Sequence, residues 1–124
     1  MKEIKVQGFD EFMSAVVSPD IKDKIIICLF TGDKDENGKS WCPDCVTSEP
    51  IVRKSLELIK DDDSFVFVYC SVGGRAFWKD KSNPFRTNDK LKLNGVPTLM
   101  KWGFPNEKLV EDQISADVIP ILFE

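Results

Sequence analysis

A chain of 124 residues has room for one core, so a single domain over residues 1–124 is expected, burying roughly two thirds of the unfolded surface without disulfide staples. With 42% hydrophobic and 31% charged residues it reads as a globular protein, and 17 basic against 21 acidic residues give a net charge of −4, which argues against nucleic acid or an anionic membrane as partner. No apolar stretch approaches the roughly 18 residues of a membrane span, and residues 1–6 lack the apolar centre of a signal peptide, so a cytoplasmic, reducing location is expected, with the four cysteines as catalytic or buried thiols.

In chain order, Ile4 and Val6 alternate with polar neighbours and predict a strand; Phe9, Phe12, Met13 and Val16 then recur at helical spacing up to the break at Ser18-Pro19. Residues 24–30 form an unbroken, β-branched apolar run, as in a strand covered on both faces. Residues 31–40 are polar and bear two glycines, which predicts a surface loop leading to Trp41-Cys42-Pro43-Asp44-Cys45. Beyond it Val52, Leu56 and Ile59 share one helical face, with Pro50 placed to kink that helix, and residues 64–70 are the next central strand. Gly73-Gly74 opens a loop through Lys79, Trp78, Lys79 and Asp80 being part of that structural loop, and Ser82-Asn83-Pro84 starts a helix with proline at its first position. Residues 98–102 and 108–111 flank Gly103-Phe104-Pro105-Asn106 and predict an antiparallel hairpin; a last helix, capped near Ser115 and interrupted by Pro120, carries Val118, Ile119, Leu122 and Phe123.

The chemistry sits at Cys42 and Cys45. A C-x-x-C on the first turn of a helix places one thiol beside unpaired N–H groups and the positive end of the helix dipole, which favours a thiolate, and one turn brings the second thiol within disulfide reach. Lys39 on the loop adds to that effect. Asp44 opposes it, since at the second helical position its carboxylate can occupy the same N–H groups, and it is expected to tune the acidity of the first thiol. The competing structural reading makes Cys42 and Cys45 half of a zinc site completed by Cys28 and Cys70, but those two lie inside apolar strand runs and fit small buried hydrophobes better. Trp41 is expected to cover the active surface rather than to serve as core.

Trp41-Cys42-Pro43-Asp44-Cys45 between two central strands, Pro50 five residues after the second cysteine, and Gly95-Val96-Pro97-Thr98 before a hairpin together resemble the thioredoxin superfamily. The long loop ahead of Lys39-Ser40-Trp41, with Phe30-Thr31-Gly32, Glu49-Pro50, Tyr69-Cys70 and Trp78-Lys79-Asp80, is similar to a cytosolic thioredoxin-related branch of it, and the resemblance covers nearly the whole chain. It implies an α/β thioredoxin fold, a central mixed sheet of about five strands flanked by helices, and a disulfide reductase with Cys42 as nucleophile and Cys45 as resolving thiol. Trp41, Pro43, Val96 and Pro97 would contact substrate, the residue before a cis Pro97 pairing with an extended chain. Electrons would come from NADPH through thioredoxin reductase, with no cofactor bound and small disulfides such as cystine, besides selected protein disulfides, as substrates.

Two departures from ordinary thioredoxins stand out. Leu29 takes the place where they carry a buried acid, which leaves Glu49, four residues after Cys45, as candidate proton acceptor in a chain without histidine. The 32–40 loop and the 73–83 stretch are longer, and both are expected to narrow access for large protein substrates. A reading of another class remains beside this one: a thioredoxin-like docking module that keeps the cysteines but turns over little.

Overall fold

A computed structural model describes all residues 1–124. Its element order is β1 (Lys2–Gln7), α1 (Phe9–Val16), β2 (Ile25–Thr31), α2 (Pro43–Leu56), β3 (Phe65–Ser71), α3 (Arg75–Lys79), α4 (Pro84–Thr87), β4 (Thr98–Lys101) and β5 (Lys108–Val110), with short 3-10 turns at Glu57–Ile59, Glu111–Gln113 and Ile119–Phe123. The strands form one sheet in the order β1-β3-β2-β4-β5: the first three are parallel, β4 runs against them, and β5, antiparallel to β4, runs in the direction of the first three. The expected five-stranded mixed sheet flanked by helices is the fold observed.

The unbroken apolar runs follow from burial on both faces. Along β2, Ile26, Cys28 and Phe30 point to one face, where Phe12 and Val16 of α1, Trp78 of α3 and Phe85 of α4 meet them. Ile27 and Leu29 point to the other, against Val52 and Leu56 of α2 and Ile119 and Leu122 of the C-terminal turn. Each such large side chain contributes about 1.5–3 kcal/mol by leaving water. α2 continues through Pro50, which leaves the Val46 carbonyl without its helical N–H donor.

Two stretches differ from the sequence expectations. Residues 75–79 are a short helix rather than a loop, anchored by the buried Trp78. Its end is held by Asn83, whose amide donates to the carbonyls of Phe77, Trp78 and Asp80 and whose oxygen accepts from the N–H of Phe85 and Arg86. The last element is a 3-10 turn, Ile119–Phe123, with Pro120 in its first turn, where the N–H that proline lacks would have no partner within the helix.

Candidate active site

The thiol pair lies at the carboxyl ends of the parallel strands, where loops after β2 and β3 converge, the edge at which open α/β sheets place their sites. Cys42 is the N-cap of α2 and Pro43 its first residue. In that geometry the Cys45 N–H is shared between the Cys42 carbonyl at 3.0 Å and the Cys42 Sγ at 3.2 Å, so a donor of the helix start reaches the sulfur, where it stabilises negative charge. From the other side the Cys42 thiol reaches the Val96 carbonyl at 3.5 Å. The Val96–Pro97 bond is cis, as expected.

The loop before the motif is tied down rather than draped. Ser40 Oγ donates to the Gly32 carbonyl at 2.9 Å and accepts the Cys42 N–H at 3.2 Å, and residues 34 and 40 pair across the loop as an isolated antiparallel bridge. Trp41 is clamped as well: its Nε1 donates to the Gly73 carbonyl at 2.9 Å, while Arg75 donates to the Trp41 carbonyl at 3.1 Å and lies over its ring at 5.5 Å. Asp33 joins the two loops by accepting from Ser71 Oγ and from the Gly73 N–H. Gly32 is required there by space, for a Cβ would stand 2.5 Å from the Trp41 ring. Asp33 and Arg75 were not singled out in the sequence, where no periodic pattern links residues 34 or more positions apart.

The other expected site residues fall into two groups. Val96 and Pro97 are buried beside Cys42, and Pro43 is exposed at the helix start. Asp44 is exposed and makes no hydrogen bond; the N–H it was expected to occupy goes to the Cys42 sulfur instead, so what it can exert on that thiol is a solvent-screened charge. Glu49 is held by Lys34 at 2.9 Å and approached by Arg53 at 3.7 Å, and it makes no hydrogen bond to Cys45. Glu49 and Cys45 nevertheless line one cleft of about 370 Å³ between the loop and α2.

The four thiols are free and differ in setting. Burial above all, and next the hydrogen bond to the Cys42 sulfur, push the Cys45 thiol up to about 12. Burial does the same for Cys70, to about 12, helped by the charges of Glu11 and Asp33, and it holds Cys28 well above the ordinary thiol value, with Cys70 nearby adding to the effect. No three Cys, Asp or Glu side chains converge as a metal site would require. A small alkylating agent is therefore expected to modify Cys42 first in the reduced native protein and to leave Cys28 and Cys70 untouched, whereas all four react in denaturant; mass spectrometry of each state counts the adducts. Early native labelling of Cys28 or Cys70 would contradict the buried, protonated setting.

Sequence comparison adds the family. The thioredoxin domain of the thioredoxin domain-containing protein 17-like family matches residues 5–124. Thioredoxin domain-containing protein 17 of Epinephelus coioides is 48% identical over 122 residues, covering 98% of this chain and 94% of the relative, and that of Homo sapiens is 48% identical over 123 residues with the same two coverages. The thioredoxin-like protein Clot of Arabidopsis thaliana is 40% identical over 82 residues, 65% of this chain and 60% of its own. Among solved structures, chloroplastic thioredoxin z superposes with a TM-score of 0.51 at 17% identity, covering 99% of this chain and 96% of the other, a likeness of fold. The clamped W-C-P-D-C at the start of α2 is thus set in a chain that belongs to the thioredoxin domain-containing protein 17-like family.

Proposed function

We propose that this protein is a thiol–disulfide oxidoreductase that reduces small disulfides such as cystine, and selected protein disulfides, in the cytoplasm, and is itself reduced by thioredoxin reductase with electrons from NADPH. The observation that carries this reading is the Cys45 N–H to Cys42 Sγ hydrogen bond of 3.2 Å at the first turn of α2, which marks Cys42 as the sulfur prepared for negative charge. The Cys42 thiolate attacks one substrate sulfur; the substrate S–S bond breaks, and the departing sulfur leaves with the electron pair. Cys45 then attacks the Cys42 sulfur, releasing the second substrate thiolate and leaving a Cys42–Cys45 disulfide, which the reductase returns to two thiols with two electrons.

The order of events follows from what holds the proton on Cys45. After burial, the raising influences are its hydrogen bond to Cys42 and the charge there, and both end when Cys42 enters the mixed disulfide. Cys45 becomes easier to deprotonate only once substrate is attached. Glu49, in the same cleft, is the acceptor to which water can carry that proton, and Asp44 acts on Cys42 only through its screened charge. Trp41, Pro43 and the Val96-Pro97 backbone form the surface around the sulfur on which substrate lies, and the tied-down 32–40 loop limits the size of what reaches it.

The test is NADPH consumption by purified protein with thioredoxin reductase, using cystine and a protein disulfide in parallel. Sustained turnover, faster with cystine, and a gain for the protein disulfide when the 32–40 loop is shortened are the expected results. No turnover with either substrate would leave a thioredoxin-like docking module.

A further inference from the structure

Thr31 ends β2, is 1% exposed, and its Oγ1 is the only buried side-chain oxygen or nitrogen without a hydrogen-bond partner. A buried hydroxyl left unpaired costs about 1–3 kcal/mol, so its presence calls for a cause. Its backbone is conventionally engaged: the Thr31 carbonyl accepts the Val72 N–H at 2.9 Å, and the residue sits opposite Ser71 in the parallel register. The side chain faces the Cys45 sulfur, as does the Gly32 backbone. In the reduced protein both groups favour negative charge on the Cys45 sulfur, yet no hydrogen bond of ordinary geometry engages the Thr31 hydroxyl.

That changes during turnover. When Cys42 is tied up in the mixed disulfide, Cys45 must lose its proton and carry a full negative charge in a buried place. We propose that Thr31 is the hydrogen-bond donor that receives this charge: its hydroxyl, with the Gly32 backbone, binds the Cys45 thiolate and holds it for attack on the Cys42 sulfur. The inference rests on the redox reading above and deepens it. A hydroxyl suits the role because it donates to the thiolate without bearing charge itself, so it does not hold a proton against Cys45 in the resting state as a carboxylate partner would. The proton leaves through the cleft toward water, and Thr31 takes no part in its transfer. The titratable groups around the sulfur are Cys42 and Glu49 on α2, with Arg53 farther along it, and Lys34 and Lys39 on the facing loop.

The chromogenic disulfide dithiobis(nitrobenzoate) tests this in a single turnover, because it releases one coloured thiol when Cys42 attacks and a second when Cys45 resolves. Thr31→Val keeps the shape and deletes the hydroxyl, and Thr31→Ala deletes it with less bulk. In both, the first release is expected at the wild-type rate and the second slowed about tenfold at neutral pH, with the midpoint of its pH–rate profile moved upward. Thr31→Ser is expected to restore rate and profile. Thermal unfolding of Thr31→Val is expected at or above the wild-type midpoint, since an unpaired buried hydroxyl has been removed. A second release at the wild-type rate in both deletion variants, or one slowed as much by serine, overturns the inference and leaves the redox reading standing. No first release from wild-type protein overturns both.

Discussion

Replacing Cys42 with serine is expected to lower disulfide-reductase turnover on the order of a thousandfold or more, while Cys45→Ser halts the reaction one step later and accumulates covalent adducts. The asymmetry follows from the surroundings of each sulfur. Cys42 Sγ accepts a helix N–H at 3.2 Å and its residue is 5% exposed; Cys45 is 2% exposed, and burial pushes its thiol up to about 12. Only the first sulfur is prepared to attack from the resting state. Serine remains a good N-cap at position 42, so the lost activity reflects the missing nucleophile and not a frayed α2. Incubation of each variant with cystine followed by mass spectrometry decides the matter: adducts on Cys45 in Cys42→Ser, with none on Cys42 in Cys45→Ser, would reverse the order of attack.

The second large effect is on stability at alkaline pH. Cys28 and Cys70 are protonated in the folded chain because burial opposes their charge, whereas in the unfolded chain they ionise from the ordinary value of 9.0. Folded-state values above the unfolded ones mean that this stabilisation is complete below the unfolded value and is lost as pH rises through 9 toward the folded values. Between pH 7 and pH 10 each of the two thiols costs the fold about 1.4 kcal/mol, about 3 kcal/mol for the pair. Urea unfolding at the two pH values measures the loss, and a double variant, Cys28→Ala with Cys70→Ala, is expected to show about 3 kcal/mol less of it. An identical loss in the double variant would mean that other groups carry the alkaline sensitivity.

What the sequence shows most clearly is what local chemistry alone decides. The runs of β2 and β3 declare strands covered on both faces, Cys42-Pro43 and Asn83-Pro84 declare helix starts, and Gly103 between two apolar stretches declares the β4–β5 hairpin. The thiol pair itself was legible because both cysteines lie within a single helical turn. The less legible parts depend on partners far along the chain. α3 follows two glycines and spans only five residues, too few for a helical period to register. Thr31 reads as the first residue of a polar loop, yet it is the last buried residue of a strand, because the sheet extends to meet Ser71. Asp44 has the local chemistry of a competitor for the helix N–H groups, but Cys42 as N-cap turns its own sulfur toward the Cys45 N–H.

The strand order also governs when this site can exist during synthesis. β1 pairs only with β3, and β2 only with β3 and β4, so no two strands among the first sixty-four residues are partners. A nascent chain that has already exposed Cys42 and Cys45 thus has no sheet to seat them on, and the carbonyl of Val96 that faces the first sulfur emerges more than fifty residues after it. Until then the two thiols are those of an unfolded peptide, open to any oxidant or electrophile.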